Sequence, residues 1–131
     1  MRLRYNAKKH TLLLVFILTY SQQAFSDAVE FTRQELKFHP QAEDTCGSKK
    51  VEVVNISNQP IPNPDFRIEG SASFSVQRYF RKCPNPLGPG ETCRVYVNFC
   101  PYLDRFYQGL LYFEGTRVFL RMTGEGRIRK F

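Results

Sequence analysis

The sequence predicts an all-β protein, a single immunoglobulin-like sandwich of seven short strands that is stabilised by disulfides and follows an N-terminal signal peptide. Two observations lead to this fold class. Runs of alternating apolar and polar residues recur along the 131-residue chain, separated by clusters of Gly, Pro, Asn and Asp. No segment after the first 26 residues has the periodicity of a helix, and seven such runs in one small domain are typical of an immunoglobulin-like sandwich.

The first 26 residues have the three parts of a secretory signal peptide. Four basic residues stand near the start, the apolar run TLLLVFILTY follows, and Ser26 ends a small-residue cleavage site before Asp27. A membrane anchor would need an apolar span of about 20 residues, twice the length of this run. We therefore expect cleavage after Ser26, an exported protein that is periplasmic or secreted, and no transmembrane segment in the mature chain.

The expected cleavage changes the charge of the protein. The whole chain has a formal charge of +7, but the signal holds four of its 19 basic residues and none of its 12 acidic ones, which leaves +3. Binding to nucleic acid needs a denser basic face than that. We expect no nucleic-acid partner.

Seven runs of the mature chain are predicted to be strands because their apolar residues alternate with polar ones. They are ELKF (35–38), VEVVNI (51–56), DFRIEG (65–70), SFSVQ (73–77), CRVYVNF (93–99), YQGLLYF (107–113) and RVFLRM (117–122). The short EGT connection between the last two predicts a hairpin. We expect the sandwich to span residues 27–126 and the basic residues 127–131 to form a C-terminal tail.

All four cysteines lie in the mature chain: Cys46, Cys83, Cys93 and Cys100. An even number in a short exported chain predicts two disulfides, for which three pairings are possible. No C-x-x-C pair is present, so the sequence does not favour a structural metal site.

The order of these runs resembles a known family. VEVVNIS, FSV, LGPGETCRVYVNFCP, YQGLLYF and MTGEG follow one another as in the hydin-type immunoglobulin-like domains, which are related to the major sperm protein fold and occur in bacterial exported proteins as choice-of-anchor D domains. The matching positions are Asn55, Cys83, Leu87, Pro89, Gly90, Cys93, Phe99, Pro101, Met122, Gly124 and Gly126. The resemblance spans nearly the whole mature chain and implies a non-catalytic module with varied partners.

The resemblance also implies a pairing of the cysteines. The family often joins the positions of Cys83 and Cys93, whereas Cys100 replaces a residue that is usually threonine or another small polar one. Cys46 precedes the strand predicted from Val51, and the start of one antiparallel strand lies near the end of its neighbour. We therefore expect Cys46 to pair with Cys100.

The sequence does not favour an enzyme, and we expect no catalytic residue, metal or cofactor. His39 is the one histidine after the signal, so no second histidine and no G-x-S-x-G elbow exist to build a nucleophile and base pair. The carboxylates Glu43, Asp44, Glu91 and Asp104 fall in predicted loops, and nothing selects two of them as a catalytic pair.

Two surfaces are candidates for binding a partner. Alternation along the final hairpin leaves an aromatic and arginine-rich face outward, made of Leu110, Tyr112, Arg117, Phe119 and Arg121. Such residues are enriched at interface hot spots, but they also stabilise exposed sheets as cross-strand pairs, and the sequence leaves both readings open. The second candidate is a basic and aromatic loop, stiffened by the neighbouring Cys83, made of Arg78, Tyr79, Phe80, Arg81 and Lys82.

These features predict a small periplasmic subunit or accessory protein of a cell-envelope or secretion assembly, which docks on protein partners. The alternative is a secreted effector or enzyme inhibitor that acts through the loop 78–82.

Overall fold

A computed structural model describes residues 28–129, apart from the side chains of residues 78–80. The predicted signal peptide and the last two residues of the predicted tail lie outside this part. Within it the chain forms nine strands. None of these residues forms a helix that could span a membrane. The strands are β1 (Val29–Phe31), β2 (Glu35–Lys37), β3 (Gln41–Ala42), β4 (Gly47–Asn55), β5 (Phe66–Gly70), β6 (Phe74–Lys82), β7 (Thr92–Phe99), β8 (Phe106–Phe113) and β9 (Phe119–Arg127).

The strands form the two sheets of a sandwich. One sheet has the order β1-β4-β7-β6, and all its neighbours are antiparallel. The other has the order β2-β9-β8-β5, with β3 beside β9, and in it only β2 and β3 run parallel to their neighbour. The all-β immunoglobulin-like sandwich expected from the sequence is therefore confirmed.

The core lies between the sheets and is formed by the alternating apolar residues. Along β7 the inward side chains of Val95, Val97 and Phe99 are completely buried, while the residues between them are half-buried on the outer face. Phe99 lies at the centre of an aromatic group, with ring centroids 5.1 Å from Phe74 and 5.6 Å from Tyr107. Close packing of this kind makes the core sensitive to changes of volume.

Several strands differ from the prediction in extent. Two additional strands, β1 and β3, have three and two residues, too few to show a periodicity. β4 begins at Gly47, four residues before the predicted start, because its polar first half pairs with the end of β7. β9 begins at Phe119 and not at Arg117, since a backbone hydrogen bond from Phe113 N–H to Val118 C=O closes the turn first.

Both disulfides join the predicted cysteines. Cys46 is bonded to Cys100 and Cys83 to Cys93, with Cα atoms 4.3 Å and 4.2 Å apart. The first pair follows from the register of β4 and β7, in which Gly47 lies opposite Phe99, so the residues just outside those two face each other. The second ties the end of β6 to β7 in the same sheet.

Candidate functional site

The outer face of the β8–β9 hairpin brings two aromatic side chains together. Tyr112 lies directly opposite Phe119, and their ring centroids are 5.6 Å apart with the planes tilted by 47°. The connection between the strands is a turn in which Gly115 has a φ of 80°, a conformation that costs glycine little. Thr116 tightens the turn by donating its hydroxyl to the carbonyl of Phe113 at 2.9 Å. The pair therefore stands at a well-defined end of the hairpin.

The alternation predicted for this hairpin agrees with the observed burial. Leu111 and Phe113 are completely buried. Tyr112 is half-buried on the outer face, and Phe119 remains 48% exposed although it touches Tyr112. The geometry of the candidate surface is thus established, while its role in binding stays a prediction.

The predicted members of this surface occupy three positions in the fold. Leu110 lies on β8, opposite Arg121 of β9. Arg117 lies in the turn and not on a strand, because the strand starts two residues later. Both arginines are exposed.

One residue of this surface was not predicted from the sequence. Arg67 of β5 lies opposite Tyr112, and its guanidinium carbon is 4.5 Å from the centroid of that ring. A cation over an aromatic ring in this position is attracted to the π face, and it holds the ring in place. The alternation of DFRIEG puts Arg67 outward, but nothing local in the sequence tells that β5 pairs with β8.

Charged residues extend the face across the sheet. Glu69 lies opposite Leu110, and Glu35 of β2 lies opposite Arg121. Glu69 forms an ion pair with Arg67, and Glu35 forms one with Lys37, whose Nζ is 3.2 Å from its Oε1. In contrast, Arg117 and Arg121 form no ion pair within residues 28–129. We call the surface formed by Arg67, Leu110, Tyr112, Arg117, Phe119 and Arg121 the aromatic face.

The second candidate surface is not a loop, which corrects the prediction for residues 78–82. They continue β6, whose pairing with β7 is interrupted by an irregularity after Gln77 and resumes where Lys82 lies opposite Arg94. The Cys83–Cys93 disulfide is the physical reason, because it holds the end of this segment against β7. The side chains of Arg78, Tyr79 and Phe80 lie outside the described part of the structure.

The two described side chains of this segment differ in their surroundings. Lys82 is exposed. Arg81 donates from Nη1 to Oδ1 of Asp65 at 3.2 Å. This bond links β6, the edge strand of one sheet, to the residue that precedes β5 in the other sheet. Arg81 therefore has a structural partner, unlike Arg117 and Arg121 of the aromatic face.

Comparison with known proteins identifies the fold. No protein-family model matches the chain, and no curated protein matches it in sequence. PapD-like domain 7 (ASH domain) of human CEP192 is 12% identical, with a TM-score of 0.50, and the match covers 80% of this chain and 89% of that one. The secreted serine protease VesC from Vibrio cholerae is 13% identical, with a TM-score of 0.52 over 76% of this chain and 23% of VesC. WR4, a C. elegans MSP family member, is 9% identical, with a TM-score of 0.45 over 76% and 98%.

The chain has a PapD-like β-sandwich fold. At these identities the likeness concerns the fold alone, and this chain spans less than a quarter of VesC. This fold agrees with the sandwich that the sequence resemblance implied. No family model confirms that the chain belongs to the hydin-type or choice-of-anchor D domains.

A second group of exposed apolar residues lies at the other end of this PapD-like sandwich. Tyr102 and Phe106 are 61% and 60% exposed, and Leu103 is 40% exposed. The hydroxyl of Tyr107 holds this loop, because it donates to Leu103 C=O and accepts from Leu103 N–H, at 3.2 Å and 3.1 Å. The sequence predicted only a loop here, before the strand that starts at Tyr107.

Some of the titratable residues of the PapD-like sandwich form surface ion pairs. In residues 28–129 no three His, Cys, Asp or Glu side chains are grouped so that they could hold a metal ion. Glu52 has a pKa below its ordinary value, because its carboxylate accepts a hydrogen bond from Lys50 and is attracted by Arg94. Its oxygen is 3.2 Å from Lys50 Nζ and 3.3 Å from Arg94 Nε.

Proposed function

We propose that this chain is an exported, non-catalytic binding module of the cell envelope, which docks on a protein partner through the aromatic face. The setting we infer is a small periplasmic subunit or accessory protein of an envelope or secretion assembly. The observation that carries the proposal is the 48% exposure of Phe119 beside Tyr112, on a face flanked by arginines. Aromatic and arginine side chains of this kind dominate the binding energy of protein interfaces.

The exposure of Phe119 favours docking over a purely stabilising role. Contact with Tyr112 already provides the cross-strand stabilisation that an exposed sheet uses. A phenylalanine side chain buries about 150 to 250 Å² when fully covered, so covering the exposed half would remove roughly 100 Å² from water. At about 25 cal/mol per Å² this sets an upper limit of about 2.5 kcal/mol, part of which the ordering of the two partners offsets.

Two features support export. The first 26 residues have the pattern of a signal peptide, and all four cysteines are engaged in disulfides, with no free cysteine in the described part. Disulfides form and persist in oxidising compartments such as the periplasm. The two disulfides make the domain rigid, so that its surface loses little conformational freedom when it binds a partner. Docking of this kind needs no catalytic residue.

Site-specific photo-cross-linking tests the proposal. The full chain is expressed in its native host with a photoreactive phenylalanine analogue at position 119 or, as the matched control, at position 106. Both positions carry exposed phenylalanines of the same hairpin, at opposite ends. We expect a defined adduct with an envelope protein from position 119, and loss of the complex on Phe119→Ala but not on Phe106→Ala. Adducts of equal yield from both positions, or none from position 119, would contradict the proposal.

A further inference from the structure

The charge balance of the aromatic face points to the chemistry of its partner. We infer that the docking partner is an acidic protein segment, in which carboxylates flank an apolar or aromatic side chain that covers Phe119. This inference rests on the proposed function, because it specifies what binds to the same face.

The carboxylates of Glu69 and Glu35, which lie beside the aromatic face, are already neutralised by neighbouring cations. Glu69 is bound to Arg67, and Glu35 is bound to Lys37. Arg117 and Arg121, which precede and follow Phe119 by two positions, form no ion pair in the described part of the chain. The unbalanced charge next to the exposed ring is therefore positive.

The turn contains one carboxylate that works against this surplus. Glu114 is exposed and belongs to no ion pair in residues 28–129. It lies directly after Phe113 and thus at the tip of the hairpin, where its backbone N–H is bonded to Asp65 C=O. Two unpaired arginines against one unpaired carboxylate still leave the surface cationic.

The surroundings of Arg121 favour a carboxylate as its partner. Arg121 lies opposite Leu110, and Phe119 precedes it on the same face of β9. A partner that covers these apolar groups also removes water from the guanidinium, which strengthens its attraction to an anion. Guanidinium is weakly hydrated and binds carboxylate through two parallel hydrogen bonds, so it suits such a covered position better than lysine does.

An acidic protein segment fits this face better than other anions. An extended polyanion such as nucleic acid is bound by a dense track of cations, whereas two unpaired arginines beside one ring form a local site. The apolar part of the face, Leu110 with Phe119, needs an apolar counterpart of similar size. A protein segment provides both groups side by side.

Titration of the isotope-labelled full chain with short synthetic peptides tests the inference. One peptide has a central Leu-Phe pair flanked by glutamates, and the second has the same sequence with lysines in their place. We expect the acidic peptide to shift the backbone amide signals of residues 110–112 and 119–121, and to bind about tenfold more tightly than the lysine peptide. The affinity should fall as salt is raised, because the arginines are exposed.

Matched variants identify the cations that act. Arg121→Gln should weaken binding of the acidic peptide several-fold, whereas Arg129→Gln, which removes an exposed arginine beyond the other end of the sheet, should leave it unchanged. Glu114→Gln should strengthen binding, because it removes the exposed carboxylate that opposes the charge of these arginines, and weaker binding would contradict the charge argument. Equal binding of the two peptides, no binding of the acidic one, or binding only to anionic phospholipid vesicles would overturn the inference.

The two proposals fail in different ways. If cross-linking from position 119 succeeds while the acidic peptide shows no preference, the aromatic face docks a protein whose chemistry is not acidic. If cross-linking from position 119 also fails, the proposed function itself is wrong.

Discussion

Gly124 lies against the ring of Phe99 at the centre of the sandwich, so that a β-carbon added at Gly124 would be 2.5 Å from Phe99 Cε2. The ring is completely buried and packs on Phe74, so it has no room to move aside. We expect Gly124→Ala to lower the free energy of unfolding by about 1 to 3 kcal/mol, the usual cost of overpacking a core. Urea denaturation followed by circular dichroism measures this.

Gly47→Ala is the matched control for that substitution. A β-carbon at Gly47 meets the side chain of Gln41, whose flexible end can shift, and not a buried ring. We expect a change within about 0.5 kcal/mol, as for ordinary surface substitutions. Equal effects at Gly124 and Gly47 would show that the contact with Phe99 is not what requires glycine.

Asn55 provides a second test, since its completely buried side chain joins two loops. Its Nδ2 donates to the carbonyls of Gln59 and Leu87 at 2.8 Å and 2.9 Å, and its Oδ1 accepts from the backbone N–H and hydroxyl of Ser57. Asn55→Ala would leave several of these groups unsatisfied, at about 1 to 3 kcal/mol for each that stays buried. We expect a loss of about 2 to 4 kcal/mol of unfolding free energy in urea.

Ser57→Ala is the control for Asn55→Ala, because it changes one hydrogen-bonding partner and keeps the buried amide. Ser57→Ala removes only the hydroxyl, which lies nearer the surface, and should cost about 1 kcal/mol. If Asn55→Ala were no more damaging than Ser57→Ala, the amide would not be the group that holds the loops together.

Asn55 and Gly124 also show how much of the fold could be predicted from the sequence. Asn55 and Gly124 were singled out by the family resemblance, but the sequence gives no reason for either residue. The reasons lie in contacts across the fold, Asn55 with Leu87 and Gly124 with Phe99. Strand positions and their inward faces could be predicted, because alternation is a local property of each run.

What the sequence could not provide was the neighbourhood of each strand. Arg67 covers Tyr112 only because β5 pairs with β8, a contact between residues distant in the chain. The continuation of β6 through Lys82 was missed because an irregularity in the strand breaks the alternation there. The disulfide partners, in contrast, followed from family resemblance and from the antiparallel arrangement of β4 and β7.

Removing the disulfides should affect stability according to the loop that each one closes. The Cys46–Cys100 bond spans 54 positions and the Cys83–Cys93 bond spans 10. Loop-closure entropy gives about 4 kcal/mol for the first and about 3 kcal/mol for the second. We therefore expect the double replacement of Cys46 and Cys100 by alanine to lower the urea midpoint more than that of Cys83 and Cys93.

Non-reducing peptide mapping of the wild-type chain provides the control for this comparison. It should recover the two pairs as separate species. A peptide that joins Cys46 to Cys83 would contradict the pairing, and an equal loss of stability in the two double variants would contradict the entropic explanation.

The ion pairs of Glu52 predict how stability depends on acid. Hydrogen bonding from Lys50, with the charge of Arg94, holds the pKa of Glu52 below its ordinary value of 4.5. Because the folded pKa is depressed, this carboxylate stabilises the fold above pH 4.5, and its contribution is lost as the pH falls through the folded pKa. Glu52→Gln should therefore reduce stability at neutral pH, and the difference from wild type should shrink in acid.

Thermal denaturation measured across this pH range tests the sign. Glu30→Gln is the control, because Glu30 is exposed and forms no ion pair in residues 28–129. If the stability advantage of wild type over Glu52→Gln grew as the pH fell, the charged form of Glu52 would oppose folding.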